Sequence, residues 1–339
     1  MRGAGKRTEH DRHRQSVSSS MTLDSHNDEC SRFHLFMGGT ILLLISIEWP
    51  VARLVRLEGF GQLRHCIFGT ATLLTVIAYC HWRNYYRLRE SAILAVWLVW
   101  LTITLNILMQ ICGRSPAPLV DLGLSRIDAA MHFSALSVMK WIHSFRYLRV
   151  ALILAYVSLP LLMLLALMLP TLQGKYRQSR QYIVAVTIAA LFTAAIFALW
   201  PAVGPWVVYG YKPAPDQTAA QDYLLALKST SSVRMNMDVA AIVSFPSFHV
   251  VLALLSAAGL WQCRKFRPLL VALSTAICIS TVTTGWHYMT DVLGGFAVTA
   301  TAYPLANRLL GTLLTPATVY KAHPIPYPSR TISTILPIR

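Results

Sequence analysis

Ser91 to Cys112 reads SAILAVWLVWLTITLNILMQIC, a run with no Asp, Glu, Lys, Arg, Pro or Gly. It has the length and apolarity of a membrane-crossing helix, which needs about 20 such residues. Seven further apolar runs flank it, at 36–56, 65–82, 148–170, 182–203, 247–263, 268–286 and 290–312. The first contains Glu48 and the second is short. None alternates as a barrel strand does. A backbone crossing lipid must satisfy its own hydrogen bonds, so the expected fold is all-α: a polytopic membrane bundle of about eight transmembrane helices.

The composition agrees. Of 339 residues, 55% are hydrophobic and only 13% charged, against about 25% charged in soluble domains. Lys+Arg number 30 against 14 Asp+Glu, a formal charge of +16. In a membrane protein such an excess belongs to cytoplasmic loops, and no nucleic-acid partner is expected. The six cysteines are scattered, with no Cys-x-x-Cys pair, and read as apolar fillers.

The loops give an orientation. Arg83, Arg87 and Arg89, then Lys175, Arg177 and Arg180, then Arg264, Lys265 and Arg267 fall on one side if every run spans. That side is expected to be cytoplasmic, with both termini on it, in a plasma or inner membrane. Arg53, Arg56 and Arg64, offset only by Glu58, and Arg114, Arg126 and Lys212 on the longer outer connections, oppose this. Residues 1–35 are polar and read as a flexible cytoplasmic tail. Residues 36–90 read as two N-terminal transmembrane helices, 91–313 as a six-helix membrane domain and 314–339 as a Pro-rich tail. The outer connection 113–147 has the apolar spacing of one or two interfacial amphipathic helices.

Chemistry concentrates in two stretches. Ser244-Phe245-Pro246-Ser247-Phe248-His249 opens the sixth run, and Gly285-Trp286-His287-Tyr288-Met289-Thr290-Asp291 joins the seventh to the eighth. Ionisable residues at membrane depth are costly, so each is a functional candidate. His287 and Asp291, four residues apart, share a helical face, and a carboxylate on one imidazole nitrogen makes the other a better nucleophile. Ser247 reads as a helix cap whose neighbouring N–H groups face an anion. His249 is a candidate proton donor. Gly294-Gly295 allows close helix packing behind the site. Each of these features alone is commonly a cap or a local pair; their convergence on one membrane face suits phosphoryl transfer. Two His and one Asp could also ligate a metal, but no His-Glu-x-x-His or comparable cluster supports it. No cofactor is called for.

These stretches resemble the type 2 phosphatidic acid phosphatase superfamily, and within it the branch containing inositol phosphorylceramide synthases. Phe245-Pro246-Ser247-Phe248-His249 resembles that branch's second motif, and His287-Tyr288-Met289-Thr290-Asp291-Val292-Leu293-Gly294-Gly295 its third. Trp200-Pro201-Ala202-Val203-Gly204-Pro205-Trp206 resembles its Pro- and Trp-rich segment. The likeness covers the third to eighth runs. It implies that His287 forms a phosphohistidine, that Asp291 orients it, that His249 protonates the leaving group, and that no metal is needed. The substrate implied is a lipid phosphate or phosphodiester, attacked at the outer face and resolved by water or a hydroxyl. The superfamily's first motif, a Lys followed by Arg-Pro, is missing before the sixth run. Ser280-Thr281 stands where the third motif usually opens with Ser-Arg. Lys228 and Arg234 lie where they could supply that charge, beside Ser247, as phosphate-binding residues. Because of these losses a catalytically inactive membrane protein that keeps the fold, a transporter or scaffold, stays open as the alternative.

Overall fold

A computed structural model describes residues 9–59, 63–236 and 242–314. The helices are α1 (Glu9–Leu54), α2 (Leu63–Trp82), α3 (Tyr86–Gly113), α4 (Asp121–Ala130), α5 (Ala135–His143), α6 (Arg146–Val157), α7 (Leu159–Leu172), α8 (Tyr176–Leu199), α9 (Trp206–Tyr209), α10 (Pro215–Ser229), α11 (Phe248–Leu260), α12 (Arg267–Thr283) and α13 (Met289–Leu314). Every apolar run of the sequence is one of these helices or, for 148–170, a pair. The segments Asp28–Leu54, Tyr86–Gly113, Tyr176–Leu199 and Arg264–Thr283 are each long and apolar enough to cross a membrane. The α6–α7 pair adds a fifth span, bent by 44°. The chain is an all-α, multi-pass membrane bundle.

Two expectations change. Run 148–170 is not one helix: it breaks at Ser158, ahead of Pro160. A proline has no N–H to continue the ladder, and its ring clashes with the preceding turn. The tail expected over 1–35 is helical from Glu9. No Gly or Pro interrupts the chain between Gly5 and Gly38, so the helix that starts in the apolar run continues outward through the polar residues. The Pro-rich segment from residue 315 lies outside the described residues.

The core is built around α8, which packs against α3, α7, α11 and α13. Ala185, Ala189 and Ala190 on α8 are fully buried. Small side chains let backbones approach closely, which replaces the hydrophobic driving force that lipid does not supply. Helix α11 sits in the middle of α7, α8, α12 and α13, while α2 packs on α3 alone among the stronger contacts. Two-residue strands β1 (Leu57–Glu58) and β2 (Val233–Arg234) pair in parallel, Leu57 with Val233 and Glu58 with Arg234. They tie the loop after α1 to the segment after α10. The 113–147 connection holds the amphipathic helices α4 and α5, the latter capped by Ser134, whose Oγ accepts from Ser137 N.

Candidate active site

The loop from Thr284 to Tyr288 joins α12 to α13 and is fixed from several sides. Gly285 has φ +80°, a left-handed turn that favours glycine. Its carbonyl accepts from Tyr211 Oη (2.6 Å) and Gln217 Nε2 (3.0 Å). A Cβ there would lie 2.8 Å from Tyr211 Oη. Gln217 Oε1 in turn accepts from Ala214 N, tying the start of α10 to this loop.

His287 follows that turn and is buried. Its Nδ1 lies 3.0 Å from Ser244 O and 3.2 Å from Asp291 Oδ2. Both neighbours only accept, if the carboxylate is ionised, so Nδ1 carries the hydrogen and Nε2 keeps its lone pair. Asp291, in the first turn of α13, is fully buried. Its Oδ2 also accepts from Ser244 Oγ (3.0 Å) and Tyr288 N (2.9 Å). The i,i+4 pair expected from sequence is therefore present, although His287 precedes the helix and does not belong to it.

His249 is in the first turn of α11. Its ring stacks on Tyr156 of α6, with centroids 4.5 Å apart and planes at 15°. The centroids of His249 and His287 are 6.2 Å apart. Both rings line one cavity of about 260 Å³. Ser247 precedes α11, and its N–H donates to Asp291 O (3.0 Å), which locks the start of α11 to α13. Ser247 Oγ and Asp291 Oδ1 are buried without a hydrogen-bond partner among the described residues. Gly295 makes the approach possible: a Cβ there would meet Ser247 O at 2.8 Å and Val250 Cβ at 2.9 Å.

Lys228 and Arg234 do not join them. Lys228 Nζ donates to Ser115 O and Ala117 O, both at 2.9 Å, and desolvation lowers its pKa. Arg234 is exposed on β2, with its side chain over Gly59. Neither lines the cavity shared by the histidines. Two carbonyls beyond the end of α3 take the ammonium's hydrogen bonds instead.

Two carboxylates that the motifs did not mark hold the site in place. Asp121 and Asp128 lie seven residues apart on α4, hence on one face, and both are buried. Asp128 accepts from Met289 N (2.9 Å), Thr290 N (2.8 Å) and Thr290 Oγ1 (2.5 Å). It caps α13 from another helix and complements the positive end of its dipole. Asp121 accepts from Val203 N and Gly204 N, at 2.8–3.1 Å, and from Tyr288 Oη at 3.3 Å. Burial pushes its carboxyl above the usual range, and the two backbone N–H groups pull against that. The signal in the sequence is an Asp pair at helical spacing, which an interfacial amphipathic helix explains equally well.

A set of potential metal ligands gathers elsewhere. Cys30, His34 and Glu90 have ligand atoms within 4.8 Å of one another. Trp97 Nε1 donates to His34 Nδ1 (2.9 Å), so the proton of a neutral His34 is on Nε2, facing Glu90. Cys30 Sγ also donates to Glu90 Oε2 (3.2 Å). The group is satisfied as a hydrogen-bonded network linking α1 and α3.

No curated protein and no solved structure matches the chain. A family model described as PAP2 superfamily matches residues 122–305, from α4 into α13 and including both histidines and Asp291. The matched residues are more than half of the chain and include His249, His287 and Asp291, so this multi-pass membrane protein belongs to the PAP2 superfamily.

Proposed function

We propose that the chain is a membrane phosphatase or phosphotransferase acting on a lipid phosphate or phosphodiester through a phosphohistidine on His287. The observation that carries this is the placement of His287 Nδ1 between Ser244 O and Asp291 Oδ2, with the ring open to the cavity it shares with His249. Nε2 attacks phosphorus as the bond from phosphorus to the leaving oxygen breaks. His249, protonated, gives its proton to that oxygen. The carboxylate of Asp291 stabilises the imidazolium character that develops on His287. Water, or a lipid or sugar hydroxyl, then attacks the phosphorus. Its proton goes to His249, and the N–P bond breaks.

The phosphate oxygens lack the Lys and Arg usual in the superfamily. The start of α11 takes their place in this mechanism, with backbone N–H groups after Ser247 and the helix dipole facing the anion; Ser247 itself is fully buried and, like Lys228 and Arg234, does not line the cavity. The lack of the third motif's Arg, with Thr281 in its place, is the feature that resembles the inositol phosphorylceramide synthase-like branch, to which we assign the chain. The same reading places both termini in the cytoplasm and the site at the outer face of a plasma or inner membrane, following the positive-inside rule.

The test is turnover by the purified protein on a panel of lipid phosphates and phosphodiesters, with and without chelator. His287→Ala should abolish both turnover and capture of labelled phosphate on the protein. Activity that survives this substitution refutes the nucleophile, loss with chelator favours a metal mechanism, and no turnover of any substrate favours the inactive alternative.

A further inference from the structure

The cavity beside the histidines does not end at them. It continues along α3, where Leu98, Leu101, Leu105 and Met109 line it from one helix face. At about 1.5 Å per residue this face is about 16 Å long. Val186 of α8 and Met163 of α7 form the facing walls. Among the described residues no Lys, Arg, Asp or Glu lines it. Two polar side chains of α3 line it: Thr102, whose Oγ1 donates to Leu98 O (2.8 Å), and Asn106, whose Oδ1 accepts from Gln110 Nε2 (2.5 Å). The space is therefore an apolar slot with reacting groups only at its histidine end.

We infer that this slot holds one apolar chain of the substrate, the chain of the alcohol whose phosphate meets His287. The inference rests on the phosphoryl-transfer function proposed above and names the feature that selects its substrate. An extended chain advances about 1.25 Å per carbon, from a C–C bond of about 1.5 Å and a tetrahedral angle. The slot length then fits about 13 carbons. Its volume of about 260 Å³ holds about nine methylenes, each taking close to the roughly 30 Å³ of a water molecule. The slot thus takes a single chain of about nine to 13 carbons and has no room for two. Transfer from lipid to slot gains little hydrophobic energy, because lipid tails are as apolar as the walls. Discrimination comes from fit: a short chain leaves voids along α3, and a longer one must bend or stay outside.

The experiment is phosphate release from a series of alkyl phosphates with four to 20 carbons, with the full chain in detergent. In parallel, tryptophan quenching is measured with alkyl phosphates brominated on the carbons next to the phosphate, which the slot would hold beside Trp286. Wild type should show a kcat/KM maximum near ten to 12 carbons. Val186→Phe, which fills the slot, should lower the ratio of 12-carbon to four-carbon rates at least tenfold. Leu101→Ala, which widens it, should move the maximum toward longer chains. The 12-carbon probe should quench Trp286, read as the difference between wild type and Trp286→Phe, and Val186→Phe should lose that quenching. A flat profile in an active protein, or variants that follow wild type at every length, overturns the slot. Quenching without turnover keeps the slot and refutes the phosphoryl-transfer function. Turnover without Trp286 quenching does the reverse.

Discussion

Removing the carboxylate of Asp128 should destabilise the protein more than removing any group that touches substrate. The side chain is fully buried and accepts three hydrogen bonds, from Met289 N, Thr290 N and Thr290 Oγ1. In Asp128→Ala the hydroxyl of Thr290 can rotate to another acceptor, but two backbone N–H groups in the first turn of α13 cannot. Each orphaned donor costs about 1–3 kcal/mol when buried. Met289 and Thr290 are half-buried, so water satisfies part of that cost. The lost charge at a helix N-terminus adds about 0.3–1 kcal/mol. The expected total is about 2–4 kcal/mol. Asp128→Asn keeps one oxygen for Thr290 and loses the partner of Met289, so about half that loss is expected. The assay is equilibrium unfolding in detergent, followed by circular dichroism across a denaturant series. An Asp128→Ala protein within about 0.5 kcal/mol of wild type, the range of an ordinary surface substitution, would refute the idea that α4 clamps α13. Because His287 lies two residues before Met289, the same variant should also lower kcat more than it changes KM.

Other substitutions probe separate contacts. Gly295→Ala forces a Cβ against Ser247 O and Val250 Cβ at under 3 Å. It should cost about 1–3 kcal/mol by overpacking, whereas Gly39→Ala, with nothing within 4 Å of the new Cβ, should be neutral or slightly stabilising in the same unfolding assay. Lys228→Met removes the donor to Ser115 O and Ala117 O, so the melting temperature should fall while KM for a lipid phosphate stays within about twofold. A large rise in KM would return Lys228 to the site. Asp291→Asn keeps an oxygen for Tyr288 N and removes the charge that supports His287. Turnover in phosphate release should drop about 10²-fold or more, with substrate binding retained.

Much of the architecture was legible because the membrane solvent leaves few choices. A run such as Ser91–Cys112 has no stable form in lipid except a helix or a closed barrel, and its apolar pattern excludes the barrel. All eight runs are helical for this reason. The pairing of His287 with Asp291 was legible because four residues span one turn, whereas Ser247, read as a cap facing an anion, makes no side-chain cap bond and instead donates its N–H to Asp291 O. The placement of Lys228 was not. Charge at the right point of a sequence says nothing of the carbonyls of Ser115 and Ala117, more than a hundred residues away, which hold its ammonium.

The sequence by itself determined the membrane class, the helical runs and the pairing of His287 with Asp291, since each depends on local composition or on spacing within one turn. Only the tertiary structure decided what orients those residues and what space they face. The clamp of α4 on α13, the hold of Tyr211 and Gln217 on Gly285 and the slot along α3 join residues far apart in the chain. Hydrogen bonds and voids of that kind depend on how helices pack, and sequence periodicity describes only the face a helix offers, not the neighbour that meets it.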